Sequence, residues 1–314
     1  MGVLGAVGNR LAQALLTALG ASLLVWALLP LAPGDPALRV LLARGINDPT
    51  PHEIMVERGA LGLDRPLTVQ YADFVTGAIR GDLGDSYRTG APVLGEIASV
   101  LPATALLAAV ALGIALLLAV PAALVAAAWA GRWPDGLLRV LALIGSATPG
   151  FLIGLVILYV AALGLDWAKV IADGTIANVW APAIALAIPI AAVWSRLLRA
   201  ALLEAIGSSY VLVARARGAS RLRVLVRHSL PNAALPFLNA VGLGVGALLG
   251  GAVIVEAVFS WPGLGGYVLQ AIGARDLAAV QGFAAVGALI YVATSLLVDL
   301  AGSLLDPRIR TATR

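Results

Sequence analysis

The sequence predicts an all-α polytopic membrane protein with six transmembrane helices and a helical cap in its first loop. Of its 314 residues, 61% are hydrophobic and only 12% are charged, whereas a soluble domain carries roughly a quarter charged residues. Several apolar runs reach the length of about 20 residues that a helix needs to cross a hydrocarbon core of about 30 Å. Arginines are concentrated in alternate connections between these runs, which is typical of a chain that crosses a membrane repeatedly.

Six apolar runs predict the spans. The first, at 11–32, follows Arg10, is too long for a typical signal-peptide core and precedes no A-x-A site, so we expect a retained helix. The other runs fall at about 98–130, 136–164, 177–203, 230–258 and 281–305. The predicted organisation is a first transmembrane helix (1–32), an extracytoplasmic loop (33–97), a five-helix core (98–305) that contains a charged loop (204–229), and a tail (306–314).

The arginines predict the orientation of the chain, because short cytoplasmic loops retain Lys and Arg. Arg132 and Arg139 flank the second connection, whereas the third and fifth carry only Lys169 and Arg275, which aspartates offset. Most other arginines lie in the fourth connection or the tail: Arg196, Arg199, Arg215, Arg217, Arg221, Arg223, Arg227, Arg308, Arg310 and Arg314. We therefore expect both termini and the even connections in the cytoplasm, and the first loop outside.

The long first loop has the signals of short helices. Thr50-Pro51-His52-Glu53 predicts a helix start, with Thr as N-cap, Pro at the first position and Glu reaching back. Residues 67–80 place apolar side chains on one helical face, until Gly81 and Gly84 break the pattern. Two interpretations of this helical cap stay open: contact with a soluble partner, or a plug of the outer mouth.

Several function classes find no support in the sequence. There is no cysteine, and His52-Glu53 lacks the second histidine of a zinc helix, so no metal site is predicted. No G-x-x-x-x-G precedes Lys169, which argues against a P-loop for ATP. An intramembrane enzyme would need a nucleophile and a base; no G-x-S-x-G occurs and His228 is predicted at the cytoplasmic edge, so no catalytic residue is predicted. The pI near 9.8 reflects retained cytoplasmic arginines rather than nucleic-acid binding.

The charged loop predicts two short amphipathic helices separated by Gly218. One face of the first helix carries Tyr210, Val213, Ala214 and Arg217. In the second, Leu222, Leu225 and Val226 recur opposite Arg221, Arg223 and Arg227. Three interpretations fit this pattern: a loop held inside by its charge and by lipid head groups, a segment lying in the membrane interface, and a docking element for a cytoplasmic protein.

The spacing of this loop resembles the EAA loop of ABC importer permeases, where E-A-A, three residues, Gly, nine residues and I-x-L-P mark the ATPase docking site. Here nine residues separate Gly218 from His228-Ser229-Leu230-Pro231, and Leu212-Val213-Ala214 replaces E-A-A. With these departures, the stretch resembles one branch of that family, the dipeptide/oligopeptide (and nickel) permeases, in which Y-V-x-x-A-R-A-x-G and R-H-x-L-x-N-A-x-L-P are characteristic.

Motifs along the rest of the chain resemble the same branch. They are PGDP at 33–36, LGLDRP at 61–66, GDLGDS at 81–86, FSWPGLG at 259–265, RD at 275–276, VQG at 280–282 and DPR at 306–308. The long loop after the first helix resembles the B-type permease subunit.

The resemblance implies a subunit of an ATP-driven importer in the bacterial cytoplasmic membrane, with type I permease architecture. The implied partners are a C-type permease, two ATP-binding subunits that hold ATP and Mg, an extracytoplasmic solute-binding protein and membrane lipid; no cofactor is expected in this chain. Docking of the ATPase would involve Tyr210, Ala214, Arg215, Ala216, Arg217, Gly218, Ala219 and Arg221. The solute stays open among dipeptides, oligopeptides, nickel complexes, haem and glutathione. An ion-coupled secondary transporter is the alternative, and it predicts charged relays in several spans.

A few polar residues in the spans are candidates for the translocation path. Glu256 is part of the outer gate, recognises a peptide amine, or makes a structural hydrogen bond to the turn at 259–265. Ser146, Thr148 and Pro149 line the path or pack helices, and Asp299 favours an ion pair at a helix end. The prolines in the spans, Pro121, Pro149, Pro189 and Pro236, each predict a bend.

Overall fold

A computed structural model describes residues 34–165 and 172–305, together with positions 16–17, 19–20, 22–24 and 26–27. Most of the first predicted span, Lys169 and the predicted tail with its arginines lie outside the described residues, and so does the side chain of Asp299. The described segments are helices and their connections, with one isolated β-bridge between Asp85 and Pro92.

Three short helices lie in the first loop, where the sequence predicts a helical cap. They are α1 (Pro36–Ala43), α2 (Pro51–Ala60) and α3 (Leu67–Ile79). The capping box predicted at the start of α2 is present, because the Thr50 side chain accepts from the Glu53 N–H while the Glu53 carboxylate accepts from the Thr50 N–H. The α3 helix has the bounds that the spacing of its apolar residues predicts.

The long helices follow. They are α4 (Val93–Ala128), α5 (Trp133–Ala147), α6 (Gly150–Ile157) with a π-helical turn (Leu158–Gly164), α7 (Trp180–Ile206), α8 (Ser209–Ala216), α9 (Arg221–Arg223) with a π-helical turn (Val224–Ser229), α10 (Leu230–Val258), α11 (Leu264–Ala274) and α12 (Leu277–Leu305).

In the described residues, four helical segments are long and apolar enough to cross a membrane: Val93–Ala128, Trp180–Ile206, Arg221–Val258 and Leu277–Leu297. The pair α5 and α6 would make a fifth span that bends by 97°. The all-α, multi-pass fold class is thereby confirmed, while the number six stays a prediction because the first span falls largely outside the described part.

The bend between α5 and α6 occurs at Thr148-Pro149, as the proline predicts. By contrast, the assigned helices continue through Pro121, Pro189 and Pro236. A proline removes one helical hydrogen bond, but neighbouring helices and local adjustments can satisfy the freed carbonyl inside a bundle. A sharp break is therefore found at one of the four predicted sites.

The chain divides into two compact units. The core unit comprises 103–261 and 293–305. Its helices approach closely through small residues: a Cβ added at Gly145 would lie 3.1 Å from the Ala192 Cβ, and one added at Gly244 only 2.6 Å from the Trp194 ring. Glycines of this kind let α5 and α10 pack directly on α7, as is usual between membrane helices.

The cap unit comprises 34–102 and 262–292 with the described positions at 16–27. Its organising residue is the buried Asp276, which accepts hydrogen bonds from the Ser86 Oγ at 2.5 Å and the Arg88 N–H at 3.1 Å. The other carboxylate oxygen of Asp276 accepts from the Ala279 N–H at 3.0 Å and so caps α12. One carboxylate thereby joins the segment before α4 to the start of α12.

Candidate functional site

Gly218 ends α8 in a Schellman motif. Its φ of +81° lies in the left-handed region, its N–H donates to the Arg215 carbonyl at 2.9 Å, and the Ala219 N–H donates to the Ala214 carbonyl at 3.1 Å. Ser220 then caps α9 by accepting from the Arg223 N–H. No other described residue would lie within 4 Å of a Cβ at Gly218, so the backbone conformation of this chain explains the glycine, and close packing within the chain does not.

The loop is anchored by a few apolar side chains and exposes the others. Val211, Val224 and Leu225 are buried. Leu212 and Leu222 are 62% and 70% exposed. The predicted face of Leu222, Leu225 and Val226 is therefore split, with Leu225 buried and Leu222 and Val226 exposed; a π-helical turn at Val224–Ser229 follows α9.

The predicted docking residues form a largely accessible surface, which we call the docking surface. Tyr210, Arg215, Ala216, Arg217, Gly218 and Arg221 are exposed, while Ala214 and Ala219 are half-buried. Within the described part of the chain, none of its arginines forms an ion pair. The docking surface thus offers unpaired positive charge beside exposed apolar side chains, which suits an acidic partner surface with an apolar floor.

An ion pair that sequence reasoning missed lies in the same unit. Asp135 is 1% exposed and accepts from the Arg199 Nε at 2.7 Å and Nη2 at 2.8 Å. The Gly131 N–H donates to the same carboxylate at 2.9 Å. Arg196 and Arg199, which the sequence assigned to the fourth connection, lie inside α7. Arg199 therefore holds α5 against α7, and no local signal pairs it with Asp135.

Glu256 is fully buried and its carboxylate accepts from the Thr104 Oγ1 at 2.7 Å. Its backbone carbonyl accepts from the Trp261 N–H at 2.8 Å, and the Trp261 Nε1 donates to the Ala103 carbonyl at 3.0 Å. These bonds give Glu256 a structural position between α4 and the turn after α10. A gating role for its side chain stays a prediction.

The hydroxyls of Ser146 and Thr148 are bonded to their own helix. Ser146 Oγ donates to the Leu143 carbonyl at 3.1 Å and Thr148 Oγ1 to the Ile144 carbonyl at 2.8 Å. With Pro149 they form the end of α5 at the 97° bend. Among the described contacts, none joins them to Glu256, so their contribution to a pathway also stays a prediction.

These features define a class: a multi-pass helical membrane protein that exposes a charged loop and contains, among the described residues, no cluster of potential metal ligands. Residues 119–311 match the family described as "Binding-protein-dependent transport system inner membrane component", and residues 4–108 match its N-terminal companion. The chain belongs to this family. It is a permease of the type I ABC importer class, and not an ion-coupled transporter.

Two relatives show how far the similarity extends. The chain is 38% identical over 308 residues, 89% of each protein, to the "Probable D,D-dipeptide transport system permease protein" of Escherichia coli K12. It is 34% identical over 291 residues, 92% of this chain and 93% of the relative, to the glutathione transport system permease protein of Escherichia coli O6:H1. The resemblance inferred from the sequence motifs is confirmed.

Proposed function

We propose that this chain is the B-type permease subunit of a bacterial importer for short peptides or related solutes, with both termini in the cytoplasm. Its proposed partners are a C-type permease, two ATP-binding subunits that bind ATP and Mg, and an extracytoplasmic solute-binding protein. The names of the relatives, one a D,D-dipeptide and the other a glutathione permease, support this solute class.

One observation carries the proposed ATPase docking: Arg221, the last residue of the docking surface, begins a helical run that continues into a membrane span. The helical run Arg221–Val258 is continuous from α9 through the π-helical turn into α10. On the other side, Gly207 and Ser208 separate α7 from α8. A force applied to α9 by a closing ATPase would therefore move α10 directly, which is how nucleotide binding would reach the translocation path.

Substitutions at Gly218 test this proposal. Asn tolerates a left-handed φ, whereas a β-branched Val is strongly disfavoured there, and a left-handed L-residue costs about 1–2 kcal/mol. We expect Gly218→Val and Gly218→Trp to abolish solute-stimulated ATP hydrolysis and uptake by the complete reconstituted transporter. Gly218→Asn should retain most of both activities.

The matched control is Gly90→Val in the first loop. Gly90 also has a positive φ, +71°, and open space around its Cβ position, so the variant introduces the same backbone strain away from the docking surface. Wild-type stimulation and uptake in Gly218→Trp would rule out docking through this loop.

A further inference from the structure

A groove of about 500 Å³ opens on the cap unit. Five parts of the chain line it: Trp26, residues 34–36, residues 58–77 around the α2–α3 connection, residues 82–87, and the start of α12. Its size is within the range of small-molecule sites, which are about 300–1,000 Å³. The permease mechanism described above makes no use of it.

Gln281 lies at the groove and has an unused amide. Its side chain lines the groove although the residue is only 8% exposed. Among the described residues, none is a hydrogen-bond partner of this amide. The amide nitrogen and oxygen are not among the buried polar atoms without a partner in the described residues, so they are accessible from the groove and free to bond a ligand there.

The position of Gln281 is fixed by its neighbour. A Cβ added at Gly282 would lie 2.5 Å from the Val93 Cγ1, so a glycine there lets the start of α12 pack directly against the side chains of α4. The start of α12 is also capped by Asp276. The amide is therefore presented by a rigid helix end, which reduces the entropy lost on binding.

Tyr87 provides a second polar group on the groove. The residues on either side of it, Ser86 and Arg88, are both held by the Asp276 carboxylate. In the described part of the protein, the Tyr87 hydroxyl has no hydrogen-bond partner. Burial, and secondarily the Asp276 carboxylate, raise the pKa of Tyr87 to about 12, so the phenol keeps its proton at any physiological pH and remains a donor.

The charges around the groove favour a cation at one end. Arg65 is paired with Asp73 at 3.0 Å, and Arg58 with Asp35 at 3.2 Å. Asp82 and Asp85 also line the groove, and neither has a basic partner within 4.0 Å among the described residues. The groove thus combines accessible amide and hydroxyl groups with carboxylates on its border.

We propose that this groove binds a short peptide with a free amino terminus. The Gln281 amide offers a donor and an acceptor side by side, which matches the N–H and C=O of a peptide group; the Tyr87 hydroxyl donates to a peptide carbonyl, and the peptide ammonium lies near Asp82 and Asp85. This inference rests on the proposed function, in which the first loop (33–97) lies outside the membrane and the solute is a peptide.

The test measures binding of L-alanyl-L-alanine to the complete purified transporter in detergent, without the solute-binding protein and without ATP, by saturation-transfer NMR titration. Loss of one hydrogen bond costs about 0.5–1.5 kcal/mol, so Gln281→Leu and Tyr87→Phe should each raise the Kd about twofold to tenfold. N-acetyl-alanyl-alanine, which lacks the ammonium, should bind the wild type more weakly than dialanine.

Gln270→Leu is the matched control, since Gln270 is exposed on α11 and does not line the groove; its Kd should equal that of the wild type. Tyr87→Phe removes only the hydroxyl oxygen, so it tests the proposal on its own if Gln281→Leu prevents assembly of the transporter. No binding to the wild type, or equal Kd values for wild type, Gln281→Leu and Tyr87→Phe, would overturn the proposal.

A further arm separates the alternatives. If Gln281→Leu weakens binding of the solute-binding protein and leaves the dialanine Kd unchanged, the groove belongs to that protein and the peptide site is wrong. ATP hydrolysis stimulated by the loaded binding protein is measured on the same wild-type preparation. If the loaded binding protein stimulates ATP hydrolysis but dialanine does not bind, the proposed function stands and the groove proposal is wrong. If dialanine binds in a Gln281-dependent way but no stimulation occurs, the groove proposal stands and the proposed function is wrong.

Discussion

The ion pair between Asp135 and Arg199 gives the sharpest prediction for stability. In Arg199→Met the guanidinium is lost while the long apolar stem is retained. The Asp135 carboxylate, 1% exposed, keeps the Gly131 N–H at 2.9 Å and the more distant Arg139 Nε at 3.8 Å. Removing one partner of a buried pair costs about 3–5 kcal/mol.

The structure places the expected loss at the lower end of that range. The Arg199 side chain is 20% exposed and Arg139 supplies a second positive charge nearby, so water and that charge compensate part of the loss. We expect Arg199→Met to lower the free energy of unfolding by about 3 kcal/mol. The double variant Asp135→Asn/Arg199→Met should cost little more than either single variant, because no uncompensated charge stays buried.

The assay is denaturant-induced unfolding of the detergent-solubilised protein, followed by tryptophan fluorescence. Arg196→Met is the control: Arg196 is an exposed residue of the same helix, and a change within about 0.5 kcal/mol is expected for it. If Arg199→Met lowered the free energy of unfolding by less than about 1 kcal/mol, the pair would contribute no more than a surface salt bridge and the reasoning would be wrong. Strictly additive losses in the double variant would equally refute the reasoning.

Two further predictions concern single hydrogen bonds. Thr104→Val removes the hydroxyl that donates to the buried Glu256 and should lower the free energy of unfolding by about 1.5–3 kcal/mol in the same assay. Thr104→Ser keeps the hydroxyl and should lower it by only about 0.8 kcal/mol, the value of one methylene. Equal losses for the two variants would show that the hydroxyl contributes nothing to stability. Hydrogen bonds from the Thr50 backbone and hydroxyl lower the pKa of Glu53. The capping box is therefore complete above the ordinary pKa of a carboxyl group, and it is lost as the pH falls through the lowered pKa of Glu53. The Thr50 amide should therefore exchange faster in Glu53→Ala than in the wild type at neutral pH, and unchanged protection would contradict this.

Local features of the fold could be predicted from the sequence because neighbouring residues produce them. The capping box at Thr50 and Glu53 needs four consecutive residues, and the Gly218 turn needs only a residue that tolerates a positive φ after a helix. The burial of Val224 and Leu225 could not be predicted in this way, because it depends on which parts of the chain pack against them.

Contacts between distant segments could not be predicted in this way. Asp276 and Ser86 are separated by 190 residues, and Asp135 and Arg199 by 64, so no periodicity or spacing relates them. A charged residue in an apolar run can be flagged as costly, but the partner that stabilises it depends on how the helices pack. The positive-inside rule predicted that Arg199 belongs to a cytoplasmic loop, whereas in the structure Arg199 lies within α7 and pairs with Asp135.

The motif at 280–282 shows how one short sequence can serve two requirements. Gly282 allows α12 to approach Val93, since any side chain there would collide with it. The neighbouring Gln281 is 8% exposed and still lines the groove. A substitution of Gly282 would therefore displace the amide as well as the helix, whereas Gln281→Leu removes the polar groups of the amide while leaving Gly282 in place. The two variants separate the packing of the cap unit from the recognition that we propose for it.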